Sequence, residues 1–283
     1  MNQFYGVLGF REKNDFLTST FKIYDSEGNV FKDVDIPTIN WIGLYRLNKF
    51  QSTDFCSATS WKNCLNCNLY PEFCGTALLY LRTVVSSKGI IKFKIGVSYD
   101  IARPLAQSSP FAIIAKDIPR KMALNFEKKL SQISKLIVQN PRGRMLWADV
   151  IKYGLWDGEL ESERLLEFLD TFYHKVERYS PEIYERLIDP IVYVAGPNFY
   201  TDLPPWINKL NMFEIRKILK RDPRSIFGEI VSNRGAILVV ESEDNAYFFE
   251  LKERMFYLIS KISGETNLSK MYKRVLIKFK EKS

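Results

Sequence analysis

Cys56, Cys64, Cys67 and Cys74 fall within one short segment, with the spacing C-x7-C-x2-C-x6-C, and the chain has no other cysteine. The pair Cys64-Leu65-Asn66-Cys67 is a knuckle that lets two thiolates grip one ion. Cys56 and Cys74 can complete a tetrahedral thiolate set of the Zn²⁺ type. Such a site would contribute on the order of 10 kcal/mol to ordering a segment with little apolar core. Four thiolates leave no open coordination position, so this zinc is expected to be structural. Two disulfides and an iron–sulfur cluster are the alternatives for the same four thiols. Disulfides would need an oxidising compartment or a hyperthermophile cytosol.

The second chemical signal is basic. Lys plus Arg outnumber Asp plus Glu by 41 to 33, a formal net charge of +8. That balance favours polyanions as partners, whether RNA, DNA or an acidic protein. Arg142 and Arg144 stand in the breaker Asn140-Pro141-Arg142-Gly143-Arg144, where a flexible backbone can bring both to phosphates. Lys220, Arg221 and Arg224 form a second cluster with Arg216 and Lys217, expected on a helix after Asn211. Residues 270–282 add a third, with Tyr272, Leu276 and Phe279 interspersed. Charge runs are commonly solvated faces, so each cluster alone carries little weight. A single histidine, His174, excludes histidine metal cages and leaves acid–base chemistry to tyrosine, lysine and carboxylates.

The elements that must position these residues are of both kinds. Residues 1–50 alternate as strands do, with runs at 4–10, 18–24 and 38–47, and the turn Asp25-Ser26-Glu27-Gly28-Asn29 reads as a hairpin. Apolar runs at 78–85, 90–97 and 111–115 predict three more strands, with a short helix over 100–107. Met122, Phe126, Leu130 and Ile133 recur at helical spacing, predicting a helix over 119–138 with Pro119 at its first position. Helical patterns follow at 145–153 and 159–179, then a strand at 191–194 and a Pro-rich turn at 202–206. Runs at 226–231, 236–241, 246–251 and 256–262 predict a closing set of strands, with a hairpin loop at 242–245. No apolar run approaches the ~20 residues that span a bilayer. Residues 1–6 lack the pattern of a signal peptide, so a cytoplasmic protein with no membrane partner is expected.

At the cysteines and the run after them, the chain resembles the prokaryotic family termed domain of unknown function 2797. Its members join a cysteine cluster to a segment similar to the GIY-YIG nuclease core. The matching stretches are Cys64-Leu65-Asn66-Cys67, Pro71-Glu72-Phe73-Cys74, Leu79-Tyr80-Leu81 and Phe93-Lys94-Ile95-Gly96-Val97-Ser98. They continue through Arg103, Gln107 and Leu124-Asn125-Phe126-Glu127 to Gly228-Glu229-Ile230-Val231 and Arg234-Gly235-Ala236-Ile237-Leu238. The further cysteines that the family carries upstream of its cluster are absent here.

The patterns above predict an α+β fold in four parts: an N-terminal β module (1–50), the four-cysteine knuckle (51–77), a small core (78–139) that the resemblance makes a GIY-YIG-like mixed sheet, and a helical segment with a C-terminal β module and basic tail (140–283). The resemblance also implies a site. Tyr80 would activate water or orient a phosphate, Arg103 would neutralise it, and Glu127 would hold Mg²⁺. Lys94 stands where the pattern has a tyrosine, and a lysine there binds phosphate as a point charge rather than positioning a nucleophile. A binding module is therefore expected ahead of an active nuclease.

Plain structural roles compete at each position: a core aromatic at Tyr80, the solvent side of a strand at Lys94, a bulge or strand exit at Gly96, a pair with Asp100 for Arg103, and a solvated charge at Glu127. The leading reading is a zinc-containing nucleic-acid-binding protein, RNA ahead of DNA. A Mg²⁺-dependent phosphodiesterase and an interaction protein docking on a ribonucleoprotein or acidic partner are its alternatives.

Overall fold

The structure is a computed structural model. It describes residues 4–49, 75–194 and 200–262, apart from 14–15, 25–29, 40, 86–88, 139–146, 212, 216–218, 222–223, 243–244 and 252–254. The architecture is α+β with almost wholly antiparallel pairing. The chain divides into two compact units, one formed by Met1–Gln51 with Gly196–Ser283 and the other by Ser52–Ala195.

The first unit is a nine-stranded sheet. Its strands are β1 (Phe4–Lys13), β2 (Phe16–Tyr24), β3 (Val30–Asp35), β4 (Trp41–Lys49) and β9 (Leu219–Arg221), followed by β10 (Ser225–Arg234), β11 (Ile237–Ser242), β12 (Asn245–Glu250) and β13 (Met255–Ile262). Their order is β3-β2-β1-β13-β4-β10-β11-β12-β9. The N-terminal and C-terminal strands that the sequence reads as separate modules therefore share one sheet. β13 pairs with both β1 and β4, and β4 pairs with β10. The reason is burial: Ile42 and Leu44 on β4 alternate inward, and neither could leave water without flanking strands from the other end of the chain. Gly228 lets β10 approach its neighbour, since a β-carbon there would lie 2.0 Å from the Glu241 carbonyl oxygen.

The second unit carries the residues of interest. Its sheet, in the order β6-β5-β7-β8, comprises β5 (Thr76–Val85), β6 (Ile91–Ser98), β7 (Phe111–Pro119) and β8 (Ile191–Tyr193). The pairings between its four strands are antiparallel. Its helices are α1 (Ala102–Ala106), α2 (Arg120–Leu130), α3 (Trp147–Lys152), α4 (Gly158–Tyr179) and the single turn α5 (Pro181–Tyr184).

Leu79, Leu81, Phe93 and Ile95 bury one face of the sheet together with Leu165, Phe168, Leu169 and Phe172 of α4. The Phe93 and Phe168 rings stack there with centroids 3.9 Å apart. Asp157 caps α4 by accepting from the backbone N–H of Glu159 and Leu160, at 3.0 and 3.1 Å. Thr83 and Glu161 are polar and fully buried in this region, with the Thr83 hydroxyl donating to the Glu161 carboxylate at 2.6 Å. The helix expected over 119–138 stops at Leu130, where the backbone N–H groups of Gln132 and Ile133 donate to the carbonyls of Lys129 and Leu130 and tighten the chain into turns. Beyond them Ile137 forms a parallel bridge to Phe93.

Candidate functional site

The register of β5 against β6 sets the site. Tyr80 lies opposite Gly96, and Arg82 opposite Lys94. Because strand side chains alternate, these four positions share the face opposite to Leu79, Leu81, Phe93 and Ile95. Tyr80 is 2% exposed. Its ring lies across Gly96, where a β-carbon would meet Cζ and the phenolic oxygen at 2.5 Å each. Gly96 is thus in regular register and makes room for the tyrosine, not the bulge or strand exit its residue type suggested. Phe111 packs edge-on against Tyr80, with centroids 6.3 Å apart, and itself stacks on Tyr193.

The connection from β6 into α1 supplies the next two groups. The Tyr80 hydroxyl donates to Gln107 Oε1 at 3.1 Å, and Arg103 Nη1 donates to the Val97 carbonyl at 3.1 Å. Arg103 and Gln107 are four residues apart, so they leave α1 on one side. Glu127 comes from α2, whose Ala123 and Leu130 are fully buried. It stands four residues after the first and three before the second, on their stripe, and is half-buried rather than solvated.

These groups perturb one another. Burial pushes the Tyr80 phenol up, against the lowering influence of Arg103, Arg82 and the Gln107 hydrogen bond. Burial pushes the Lys94 ammonium down, and Arg82 and Arg103 add to that while Glu127 opposes it. Burial likewise raises the Glu127 carboxyl, with Lys94 and Arg103 pulling the other way. Tyr80, Lys94, Arg103 and Glu127, separated by up to 47 positions in sequence (127 − 80), therefore lie within electrostatic reach of one another.

Arg82 is the member that sequence reasoning missed. It is only 9% exposed, and its Nη1 donates to the Thr83 carbonyl and Ser109 Oγ, both at 3.4 Å. The signal was present, since Arg82 follows Tyr80 by two residues and so must share its face. Among the described residues the cluster then holds three cations, Arg82, Lys94 and Arg103, beside the Glu127 carboxylate. That excess suits an anion with two or more oxygens, and the phenol is placed to donate rather than to act as a base.

The remaining expected site residues belong to the first unit or fall outside the described residues. Lys220 and Arg221 lie on β9, which pairs in parallel with β12, so the helix expected there is a strand. Arg224 is exposed, and its guanidinium lies 5.1 Å from the Tyr45 ring centroid. Arg142, Arg144, Cys56, Cys64, Cys67, Cys74 and the tail at 270–282 lie outside the described residues. Among the described residues no group of three or more His, Cys, Asp or Glu could hold a metal, and no helix is long and apolar enough to cross a membrane. No family model, no curated protein and no solved structure matches the chain.

Proposed function

We propose that this chain is a zinc-containing nucleic-acid-binding protein, with RNA ahead of DNA, that seats a backbone phosphate among Arg82, Lys94 and Arg103. One observation carries the reading: three cations from β5, β6 and α1 gather beside a buried tyrosine, with Glu127 the carboxylate that acts on Tyr80 and Lys94 among the described residues. Lys94 and Glu127 are half-buried and Arg103 is exposed, so the cluster is reached from the Arg103 side. The net charge of +8 favours the same class of partner. Cys56, Cys64, Cys67 and Cys74 have the donor set of a closed tetrahedral Zn²⁺ site, which would order their segment and take no part in chemistry. A cytoplasmic location belongs to this reading, because free thiolates need a reducing compartment.

The alternative, a Mg²⁺-dependent phosphodiesterase, fits the cluster poorly. Glu127 would have to hold Mg²⁺ with one carboxylate beside Lys94 and Arg103, and its burial favours the protonated form. Tyr80 would have to give up a proton that burial holds in place. Both features favour binding over cleavage.

The test is titration of single-stranded RNA, single-stranded DNA and their duplexes against the purified chain at low and moderate salt. Binding that weakens steeply with salt, tightest for RNA, is expected. Failure to retain any of the four at low salt contradicts the reading and leaves docking on an acidic protein surface in its place.

A further inference from the structure

The outer side of α2 carries a groove of about 580 Å³ that none of the residues above accounts for. Its floor is Met122, Phe126 and Pro119, and its rim is Lys121 and Lys128 with the amides of Asn125 and Gln132. Lys121, Asn125 and Lys128 follow one another at i, i+4 and i+7, forming one row along the helix; Met122, Phe126 and Lys129 form the next. Glu127 stands on the opposite, buried side with Ala123 and Leu130, so the groove and the phosphate cluster use different sides of one helix.

The charge is one-sided. Among the described residues no carboxylate lines the groove, and of its three lysines Lys129 has an ion-pair partner there, Glu182 at 3.1 Å. Neither Lys121 nor Lys128 has a carboxylate partner among the described residues. At the N-terminal end of the helix the Arg120 guanidinium lies 4.5 Å from the centroid of the exposed Tyr99 ring, adding an aromatic–cation pair beside Lys121.

We infer that this groove is a second contact for single-stranded nucleic acid, separate from the phosphate seat at Lys94 and on the other side of α2. The inference rests on the nucleic-acid reading proposed above and names where the rest of the strand runs. An apolar floor that includes Phe126 suits the face of a base, which stacks without regard to sequence. Side-chain amides suit the mixed donors and acceptors of a base edge, and two separated lysines suit successive phosphates. The volume falls within the range of about 300–1,000 Å³ typical of small-ligand clefts, enough for a base with its sugar.

The experiment is fluorescence anisotropy with a labelled oligouridylate about twelve nucleotides long, on the full chain, at several salt concentrations. The variants are the double substitution Lys121→Gln/Lys128→Gln and the single substitution Met122→Gln, each checked for unchanged circular dichroism. The charge variant should bind about tenfold more weakly, with a salt slope less steep by about 1.4, the value for two phosphates on a single strand. Met122→Gln should weaken binding with the slope unchanged, because it removes stacking surface and no charge. If the wild type binds the oligonucleotide and both variants bind it equally well, the groove is not a nucleic-acid site, while the reading at Lys94 stands. If the wild type ignores the oligonucleotide, the nucleic-acid reading fails and this inference with it. Capture of a polyglutamate peptide by that wild type, lost in the charge variant, would then identify the groove as an acidic-peptide site.

Discussion

The phenol of Tyr80 lies directly over the backbone of Gly96, so closely that a β-carbon at position 96 would sit 2.5 Å from the phenolic oxygen. The glycine is therefore required by its partner across the strand pair, not by its own backbone conformation. Gly96→Ala is expected to push the ring away and break the Tyr80–Gln107 hydrogen bond, destabilising the fold by about 1–3 kcal/mol. Urea denaturation of Gly96→Ala, Tyr80→Ala and the double variant checks this. The two single effects should be strongly non-additive, because the clash disappears with the ring. Additive effects would mean that the ring and the glycine do not meet.

Glu127 should make the protein less stable as pH rises. Its folded-state pKa is raised, so between the ordinary value of 4.5 and the folded value the native state holds a proton that the unfolded state has lost. That contribution is fully present below 4.5 and disappears as pH passes through the folded pKa. Comparing urea midpoints of wild type and Glu127→Gln from about pH 4 to pH 8 isolates it. The variant should gain on the wild type as pH increases; parallel profiles would place Glu127 in water.

Lys94 gives the complementary signature at high pH. Its folded pKa is lowered, so between that value and 10.5 the unfolded state binds more protons, and stability rises with pH through the window. Lys94→Met should flatten this rise, as read from midpoints in alkaline buffers.

The buried pair Thr83–Glu161 should matter to folding and not to binding. Thr83→Val removes the donor at 2.6 Å from a carboxylate with no exposure, and is expected to cost about 3 kcal/mol. A change below about 0.5 kcal/mol would mean that the other contacts of Glu161 suffice to hold it.

Elemental analysis of freshly purified protein should find one zinc per chain, with the thiols of Cys56, Cys64, Cys67 and Cys74 titrating only after chelation and unfolding. Absence of both metal and titratable thiols would identify disulfides instead.

Much of the strand content was legible in the sequence, because alternation is a local signal. β5, β6 and β10–β13 appear where apolar periodicity and polar turns place them, as does α4. Pairing is a different matter. Alternation in β4 says that Ile42 and Leu44 share a face, but not that β13, more than 200 residues on, supplies one of the neighbours. The end of α2 was hidden because Ile133 and Ile137 continue helical spacing, while in the structure Ile137 reaches Phe93 as an isolated bridge. In the site, Tyr80, Lys94, Arg103 and Glu127 could be named from a resemblance. Arg82 lies just outside the stretches that carry the resemblance, and only the alternation from Tyr80 along β5 puts it on the same face.

The decisive quantity is the affinity of Lys94→Gln for single-stranded RNA relative to wild type, measured at two salt concentrations. A phosphate seated at Lys94 requires a loss of about tenfold at low salt, a salt slope less steep by about 0.7, and a melting temperature no lower than that of the wild type. RNA binding with unchanged affinity and slope in the variant would contradict a phosphate seat between β5 and β6.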